Sequence, residues 1–470
     1  MSSQAFRANI YEESIIRKGK IYLSLSQAIQ LMCQPGARPC SARLQAGTVD
    51  SSDCPPKAGA TGKSEIQVPM RLLHVTQSYY PFLDRGGPTV KVRALARGMA
   101  SAGHAVTVLT ADLGFDKEKR EMTGAVPGRW GYEGRENGAE AIYLRTRARY
   151  RSLTWNPGVT EFCRQRVSEY DIAHIYGLYD LVGPRVASAC RRIGRPYVVE
   201  PMGMFVPIVR SIRMKRFYHD LLGGRLLQGA SRVIATSEQE RQEFLEGGIA
   251  DSKIVVRRNG IEIPEQFSPA GSFRTLWNIP KEVKLILFLG RLVSKKSPDL
   301  MLEVFSHWNR RGNGSRGSVL VMAGPDEGDG FRQRLEAIAA HTGLDGRVLF
   351  TGALYGDTKW AAYRDADVFV LPSQNENFGN TAAEAVACGT PVLVTDRCGI
   401  APLVDQRAGL VVSHDCTSLE AGLARILDDP ALAARLRKGS QGVANSLGWA
   451  EPLAQMEALY RELISDRRSP

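Results

Sequence analysis

The sequence predicts an α/β protein built from two doubly wound domains that face each other across a cleft. Three observations carry this expectation. From Met70 onward, short apolar runs alternate with segments of helical spacing, the pattern of parallel βαβ units. The alternation comes in two series, separated by a stretch at 262–280 that holds Pro264, Pro269 and Pro280. The chain has 470 residues, 43% of them hydrophobic and 23% charged, which is ordinary globular usage and leaves room for two or three domains of roughly 150 residues.

Residues 1–69 stand apart. The stretch 34–64 is rich in Pro, Gly, Ser and Ala and has no clear period, so 1–69 reads as a disordered or weakly ordered leader, with Met70 the expected natural start. Order begins with a strand at 71–76 (RLLHVT). A loop at 81–88 follows and contains Gly86 and Gly87. A helix is expected over 90–102, ended by Gly103, and a second strand over 105–110 (AVTVLT). Further strands are expected at 141–144, 172–175, 197–199 and 232–235. The second series places strands at 285–289, 318–323, 347–351, 368–371, 391–395 and 409–412. Residues 262–280 read as the linker. Ligands of such sheets sit beyond the carboxyl ends of the strands.

Charge is unevenly spread. The net +12 divides into +3 over residues 1–69, +9 over 70–265 and zero over 266–470, so the amino-terminal half is expected to meet something anionic. Arg210, Arg213 and Arg216 recur every three residues beside Lys215. They suit either an anionic lipid or acceptor surface or a solvated basic helix. The run Arg145, Arg147, Arg149 and Arg151 reads the same way. Nucleic acid is disfavoured, because no aromatic and glycine recognition motif accompanies the charge. No window holds 18 consecutive apolar residues, so no transmembrane helix is expected. The eight cysteines form no Cys-x-x-Cys and none lies near a His at zinc spacing. They read as reduced thiols of a cytosolic protein, and no metal is expected.

Three textual matches are set aside. Gly312-x-Gly314-x-x-Gly317 precedes a strand instead of following one, so it lacks the helix mouth a dinucleotide needs. Gly62-Lys63-Ser64 has no glycine at the P-loop's opening position. Asp365 and Asp367 sit at a helix-to-strand junction, where Asp commonly serves turns.

The informative stretch is 371–395, LPSQNENFGNTAAEAVACGTPVLVT. A strand ends at Leu371, a loop carries Glu376, and a helix begins near Asn380 or Thr381 and stops at Gly389. Glu376 then lies at the helix mouth and Glu384 about one turn inside it. The first-turn amides point into the loop with positive partial charge, which suits a pyrophosphate. A carboxylate accepting two hydroxyl hydrogen bonds suits a vicinal diol. An N-capped helix with Glu384 on a solvated face is the plain alternative. Gly290 and Arg291 follow the strand at 285–289, and Lys296 comes five residues after Arg291. Two cations at a strand tip suit a diphosphate leaving with growing charge. Gly86 and Gly87, between strand and helix, let backbone amides approach phosphate.

These residues carry a resemblance. From Met70 the chain resembles the family 4 glycosyltransferases, which have the GT-B fold. The matching segments are YYPFLDRGGPTVKVRALARGMASAGHAVTVLT, ASRVIATSEQE, RRNGIEI, GRLVSKKSPDLML, VLFTG and ADVFVLPSQNENFGNTAAEAVACGTPVLVTD, and together they span nearly all of 70–465. The resemblance implies an acceptor-side domain over 70–265 and a donor-binding domain over 266–448. Residues 449–470 would form a closing helix that crosses back to the first domain. It implies retaining transfer of a sugar from a nucleoside diphosphate donor, UDP or GDP, with no other cofactor and no metal. The acceptor would be a glycan, a lipid-linked glycan or a small molecule, in cell-envelope or exopolysaccharide assembly. The expected place is the cytoplasm, with peripheral contact at the inner face of the plasma membrane.

By the same resemblance, Glu384 would hold the ribose hydroxyls. Glu376 and the amides of Asn377, Phe378 and Gly379, next to Asn380 and Thr381, would hold the donor sugar. Arg291 and Lys296 would neutralise the leaving diphosphate, Gly87 would cap it from the other domain, and the base would rest near Leu354. Tyr176 stands where the family often carries the second His of a His-x-His, and is expected to face the sugar as a hydrogen-bond donor, though not as a neutral-pH base. His174 is expected to be buried at its strand end. The segment 200–204 resembles a donor- or acceptor-facing loop. Ser297 stands where the family commonly has Gly, so a less tight loop is expected there. Two other classes fit the same residues: a sugar-nucleotide epimerase of GT-B fold, and a nucleotide-sugar binding protein with weakened catalysis.

Overall fold

The computed structural model describes residues 68–82, 86–150, 153–206, 216–310, 317–326, 328, 330–344 and 346–467. The expected leader up to residue 67, Gly62-Lys63-Ser64, Arg151, Arg210, Arg213, Lys215, Gly312 and Gly314 lie outside the described residues.

The first sheet has nine strands: β1 (Arg71–Val75), β2 (Ala105–Ala111), β3 (Val126–Pro127), β4 (Gly131–Glu136), β5 (Ala139–Leu144), β8 (Ile172–Tyr176), β9 (Tyr197–Glu200), β10 (Arg232–Ala235) and β11 (Ile254–Val256). A separate hairpin pairs β6 (Ala148–Tyr150) with β7 (Leu153–Trp155). The order in the sheet is β11-β10-β9-β8-β1-β2-β5-β4-β3. Neighbours are parallel from β11 to β5, while β4 and β3 run antiparallel at the edge. Parallel strands are covered on both faces, which is why β1, β8 and β9 are near-continuous apolar runs.

The second sheet has six strands, all parallel: β12 (Lys284–Leu289), β13 (Ser318–Ala323), β14 (Val348–Gly352), β15 (Val368–Leu371), β16 (Val392–Thr395) and β17 (Gly409–Val412). Their order is β14-β13-β12-β15-β16-β17. The direction of winding therefore reverses between β12 and β15, and this is the topological switch point at which doubly wound sheets open a crevice. The two series of strands read from the sequence are the two sheets.

Five elements bear on the site. Helix α1 (Gly87–Ser101) follows β1 and α2 (Glu238–Glu246) follows β10. Helix α3 (Pro298–Arg310) follows β12, and α4 (Gly356–Asp365) follows β14. Helix α5 (Asn380–Ala387) follows β15. A last helix, α6 (Ala450–Asp466), packs Met456, Leu459, Tyr460 and Leu463 into the core of the first sheet beside Leu72, Val92 and Val198.

The reading of the linker is refined. The segment at 262–280 is not a bare linker: it contains a short helix, Ser272–Leu276, whose Phe273 is fully buried in the second lobe's core. Asp365 accepts from the N–H groups of Gly271, Phe273 and Arg274, and Asp367 accepts from Leu285 N and Arg274 Nη2. Both carboxylates thus serve backbone turns and a neighbouring Arg, as expected for Asp at a junction. Strands β3, β4, β6, β7 and β11 were not anticipated. They are short or carry polar and charged residues at alternate positions, so the apolar-run signal is weak there. No helix among the described residues is long and apolar enough to cross a membrane.

Candidate functional site

The site grows from the switch point. At the end of β12, the Gly290 N–H donates to the Ala323 carbonyl oxygen at 2.9 Å. The tips of β12 and β13 come so close here that a Cβ at Gly324 would lie 1.7 Å from the Gly290 oxygen. The chain then carries exposed Arg291 into a 3-10 turn, Ser294–Lys296, and on into α3. Ser297 closes the turn with φ 49°, donating its N–H to the Ser294 oxygen at 3.0 Å. Ser297 thus takes the left-handed conformation that favours glycine, at a cost of about 1–2 kcal/mol, and its hydroxyl is engaged 3.0 Å from His414 Nε2.

The second loop leaves β15 at Leu371 and is knitted to the first. Gln374 N donates to the Lys295 carbonyl oxygen at 3.1 Å, and Gln374 Nε2 donates to that of Ser294 at 2.7 Å. Lys296 Nζ forms an ion pair with Glu376 Oε2, both side chains being mostly shielded from solvent. Burial pulls the neighbouring Lys295 ammonium below its usual range, an effect that Glu376 opposes. Glu376 is itself held by the backbone: its N–H donates to the Arg397 oxygen at 2.9 Å, and its carbonyl accepts from Gly399 N at 2.8 Å. Gly399 has no room for a side chain, since a Cβ would stand 2.0 Å from the Asn377 oxygen.

Gly379, at φ 105°, turns this loop into α5, where a Cβ would press on Ile400 at 3.0 Å. No side chain caps α5, so its first-turn amides are left to the loop. The Thr381 hydroxyl oxygen is buried without a hydrogen-bond partner among the described residues. One turn further, Glu384 accepts from Lys359 Nζ at 2.8 Å and Tyr363 Oη at 2.9 Å, both on α4. It is not on a solvated face. Leu354, in the loop that leads into α4, packs against the second lobe's core.

The first lobe meets this mouth directly. Gly87 opens α1, and a Cβ there would contact Asn380 Nδ2 at 3.7 Å. Gly86, with φ 84°, caps α1 without a side-chain bond. Asn259 Nδ2 donates to Asn380 Oδ1 at 3.2 Å, and Asn375 Nδ2 donates to Glu243 Oε1 at 3.1 Å. Gly203 lies against Asn377, whose Oδ1 would be 2.0 Å from a Cβ at Gly203. The loop at 200–204 thus faces the loop that carries Glu376 and Asn377. The structure brings together Gly86, Gly87, Lys296, Glu376, Asn377, Phe378, Gly379, Asn380 and Thr381. Arg291 follows β12 and Glu384 lies inside α5, the helix that follows the neighbouring strand β15.

Tyr176 is a correction. It does not open to the cleft: its side chain is 1% exposed and lies in the core beneath α6. Its ring stacks on His174 at 3.9 Å, and its Oη is 3.3 Å from His74 Nδ1. The physical reason is strand alternation. Residues 174 and 176 share one face of β8, and that face is the one α6 covers through Tyr460, whose Oη is 2.6 Å from His174 Nδ1. Burial lowers the His74 pKa to about 3 and pushes that of His174 well below its usual value. His174 is buried, as expected.

Sequence reasoning missed a charged group beneath the Gly-Gly loop. Glu200, fully buried, accepts from Arg257 Nη2 at 2.7 and 2.8 Å and is ion-paired with Lys91 of α1. The signal was present: Lys91 lies in register with buried Leu95 and Met99, a cation inside an apolar stripe. Lys359 and Tyr363, the partners of Glu384, carried no such mark.

Residues 272–442 match the glycosyl transferases group 1 family, and residues 86–260 match the glycosyl transferase 4-like domain. A D-inositol 3-phosphate glycosyltransferase of Streptomyces bingchenggensis is 32% identical over 253 residues, covering 52% of this chain and 55% of that protein. The first such relatives are matched over little more than half their length. A protein of the same name from Nocardiopsis dassonvillei is 29% identical over 417 residues, covering 82% of this chain and 92% of its own. Among solved structures, Anabaena HepE in complex with UDP and glucose superposes with a TM-score of 0.67 at 17% identity, over 84% of this chain and all of that one. A sucrose-phosphate synthase from Thermosynechococcus elongatus gives 0.64 at 22% identity, with the same coverage. With both lobes matched in order and the switch-point site between them, the chain belongs to the family 4 type of glycosyltransferases and has the GT-B fold.

Proposed function

We propose that the protein is a retaining hexosyltransferase that moves a sugar from UDP or GDP to a glycan, lipid-linked or small-molecule acceptor in cell-envelope or exopolysaccharide assembly. The observation that carries this reading is the mouth of α5. There α5 has no side-chain cap, the buried Thr381 hydroxyl has no partner among the described residues, and the loop before α5 holds Lys296 through Glu376; this set of donors suits a diphosphate.

Breaking the bond between sugar and phosphate builds positive charge on the sugar and negative charge on the leaving diphosphate. Lys296, Arg291 and the α5 amides would stabilise the second charge, and Glu376 lies where it can accept from sugar hydroxyls. On this reading the cations and amides do the work of charge neutralisation, with no resident metal required at the diphosphate. Glu384 would exchange its bonds to Lys359 and Tyr363 in part for the ribose diol. Contacts from Gly87, Asn259 and Gly203 across the cleft would exclude water and so limit hydrolysis. The basic first lobe would approach an anionic acceptor or the inner face of the plasma membrane.

The test is incubation of the full chain with isotopically labelled UDP- and GDP-hexoses, with and without lipid-linked and soluble glycan acceptors. Transfer with retained anomeric configuration, read by NMR, is expected. Conversion of the donor without any acceptor would point instead to the epimerase class, and absence of nucleotide binding would overturn the reading.

A further inference from the structure

A second cluster of chemically active side chains lies on the far side of the Lys296 loop. Helix α3 presents Glu303 and His307, four residues apart and so on one face. The facing helix, Cys416–Asp428, begins with Cys416 and carries Glu420 four residues on. Cys416 Sγ is 3.5 Å from His307 Nδ1. One ligand atom from each of Glu303, His307 and Cys416 lies within 4.8 Å of the others. Glu420, nearly buried, brings Oε2 to 4.0 Å from the same His307 nitrogen.

We propose that Glu303, His307 and Cys416, with Glu420 as the fourth donor, bind one zinc-class divalent ion. Thiolate, imidazole and carboxylate together are the donor set of a tetrahedral zinc site, and not of a calcium or magnesium site, which takes oxygen alone. The spacing agrees. Zinc–sulfur and zinc–nitrogen bonds of about 2.3 and 2.1 Å at a tetrahedral angle separate the two ligand atoms by about 3.6 Å, close to the 3.5 Å between Cys416 and His307. Glu303 is exposed and so able to turn its carboxylate toward the ion. On binding, the Cys416 thiol releases its proton to solvent, and the sulfur lone pair forms the metal bond.

The ion would staple α3 to the Cys416–Asp428 helix. Because α3 starts directly after Ser297, the staple would hold the base of the loop that carries Lys296. Glu303 and His307 lie roughly 8–14 Å along the helix from that loop, so this is a positioning site and not part of the proposed diphosphate pocket. It does not depend on the transferase reading.

The experiment uses the full chain, treated with a chelator and then titrated with cobalt and with zinc under reducing conditions. The expected result is one ion per chain, with a sulfur-to-cobalt charge-transfer band and intense visible bands of tetrahedral cobalt that zinc bleaches. Cys416→Ser should abolish the charge-transfer band. His307→Gln and Glu303→Gln should each weaken zinc binding by roughly tenfold or more, and Cys388→Ser should change nothing. A thermal shift on zinc addition, present in the parent and lost in His307→Gln, gives a readout if Cys416→Ser does not fold. No cobalt band in the parent, or a band that survives Cys416→Ser, overturns the proposal.

Discussion

Lys296 and Glu376 come from loops that leave neighbouring parallel strands, 80 residues apart in sequence, and they meet as an ion pair at the switch point of the second sheet. The pair holds the cation in place before any ligand arrives. A diphosphate entering the mouth of α5 would then find a pre-positioned ammonium, and its binding would not have to order a long, free side chain.

Replacing both cations tests this arrangement. Arg291→Ala with Lys296→Ala should lower turnover by about 2–4 kcal/mol of transition-state stabilisation, roughly 30- to 1000-fold. The second lobe should stay folded by circular dichroism. Full-rate transfer by the double variant would remove the diphosphate role from these side chains.

Glu384→Ala separates nucleotide recognition from folding. The carboxylate is mostly shielded but bonded to Lys359, whose ammonium retains access to water, so the stability cost should stay near 1 kcal/mol. Affinity for UDP or GDP by calorimetry should fall by tenfold or more. An unchanged affinity would sink the assignment of Glu384 to the ribose.

Gly399→Ala probes the loop without touching a charged group. Its new methyl would sit 2.0 Å from the Asn377 carbonyl oxygen and 2.6 Å from Ser237 Cβ, and neither atom can swing aside by a rotamer change. The expected loss is about 1–3 kcal/mol in urea unfolding, together with weaker nucleotide binding because Glu376 and Asn377 must move. A variant with parental values in both measurements would show that the loop is not held as described.

Glu200→Gln asks what the buried charges in the first lobe contribute. The carboxylate stands between Arg257 and Lys91, and all three are buried. Removing one partner of such a group leaves uncompensated charge and should cost about 3–5 kcal/mol. A cost under about 1 kcal/mol in urea unfolding would mean that the cations find water.

Acid should unfold the first lobe through its histidines. Burial holds His74 neutral, with its pKa lowered to about 3, and shifts His174 in the same direction. Tyr176, Tyr460, Glu200, Arg257 and Lys91 surround them. An imidazole whose pKa is depressed on folding binds fewer protons in the native state. Its contribution is complete above the unfolded value near 6.5 and is lost as pH falls toward 3. The urea midpoint should therefore drop steadily below about pH 6.5. A midpoint that stays flat from pH 7 to 4 would contradict the burial of these rings.

The apolar strands of the two series, the two lobes and the α5 mouth were legible along the chain, because each rests on local chemistry. Apolar runs form buried parallel strands, glycines stop or open helices, and 371–395 encodes strand, loop and helix in one contiguous stretch. The pairing of Glu384 with Lys359 and Tyr363, of Glu200 with Arg257, and of His307 with Cys416 was not legible. Each joins residues far apart in sequence, and only the winding of the sheets decides which helices face one another. Tyr176 shows the same limit from the other side. Its place in β8 was readable, but which face of that strand opens to the cleft depends on α6 returning from the end of the chain to cover the other.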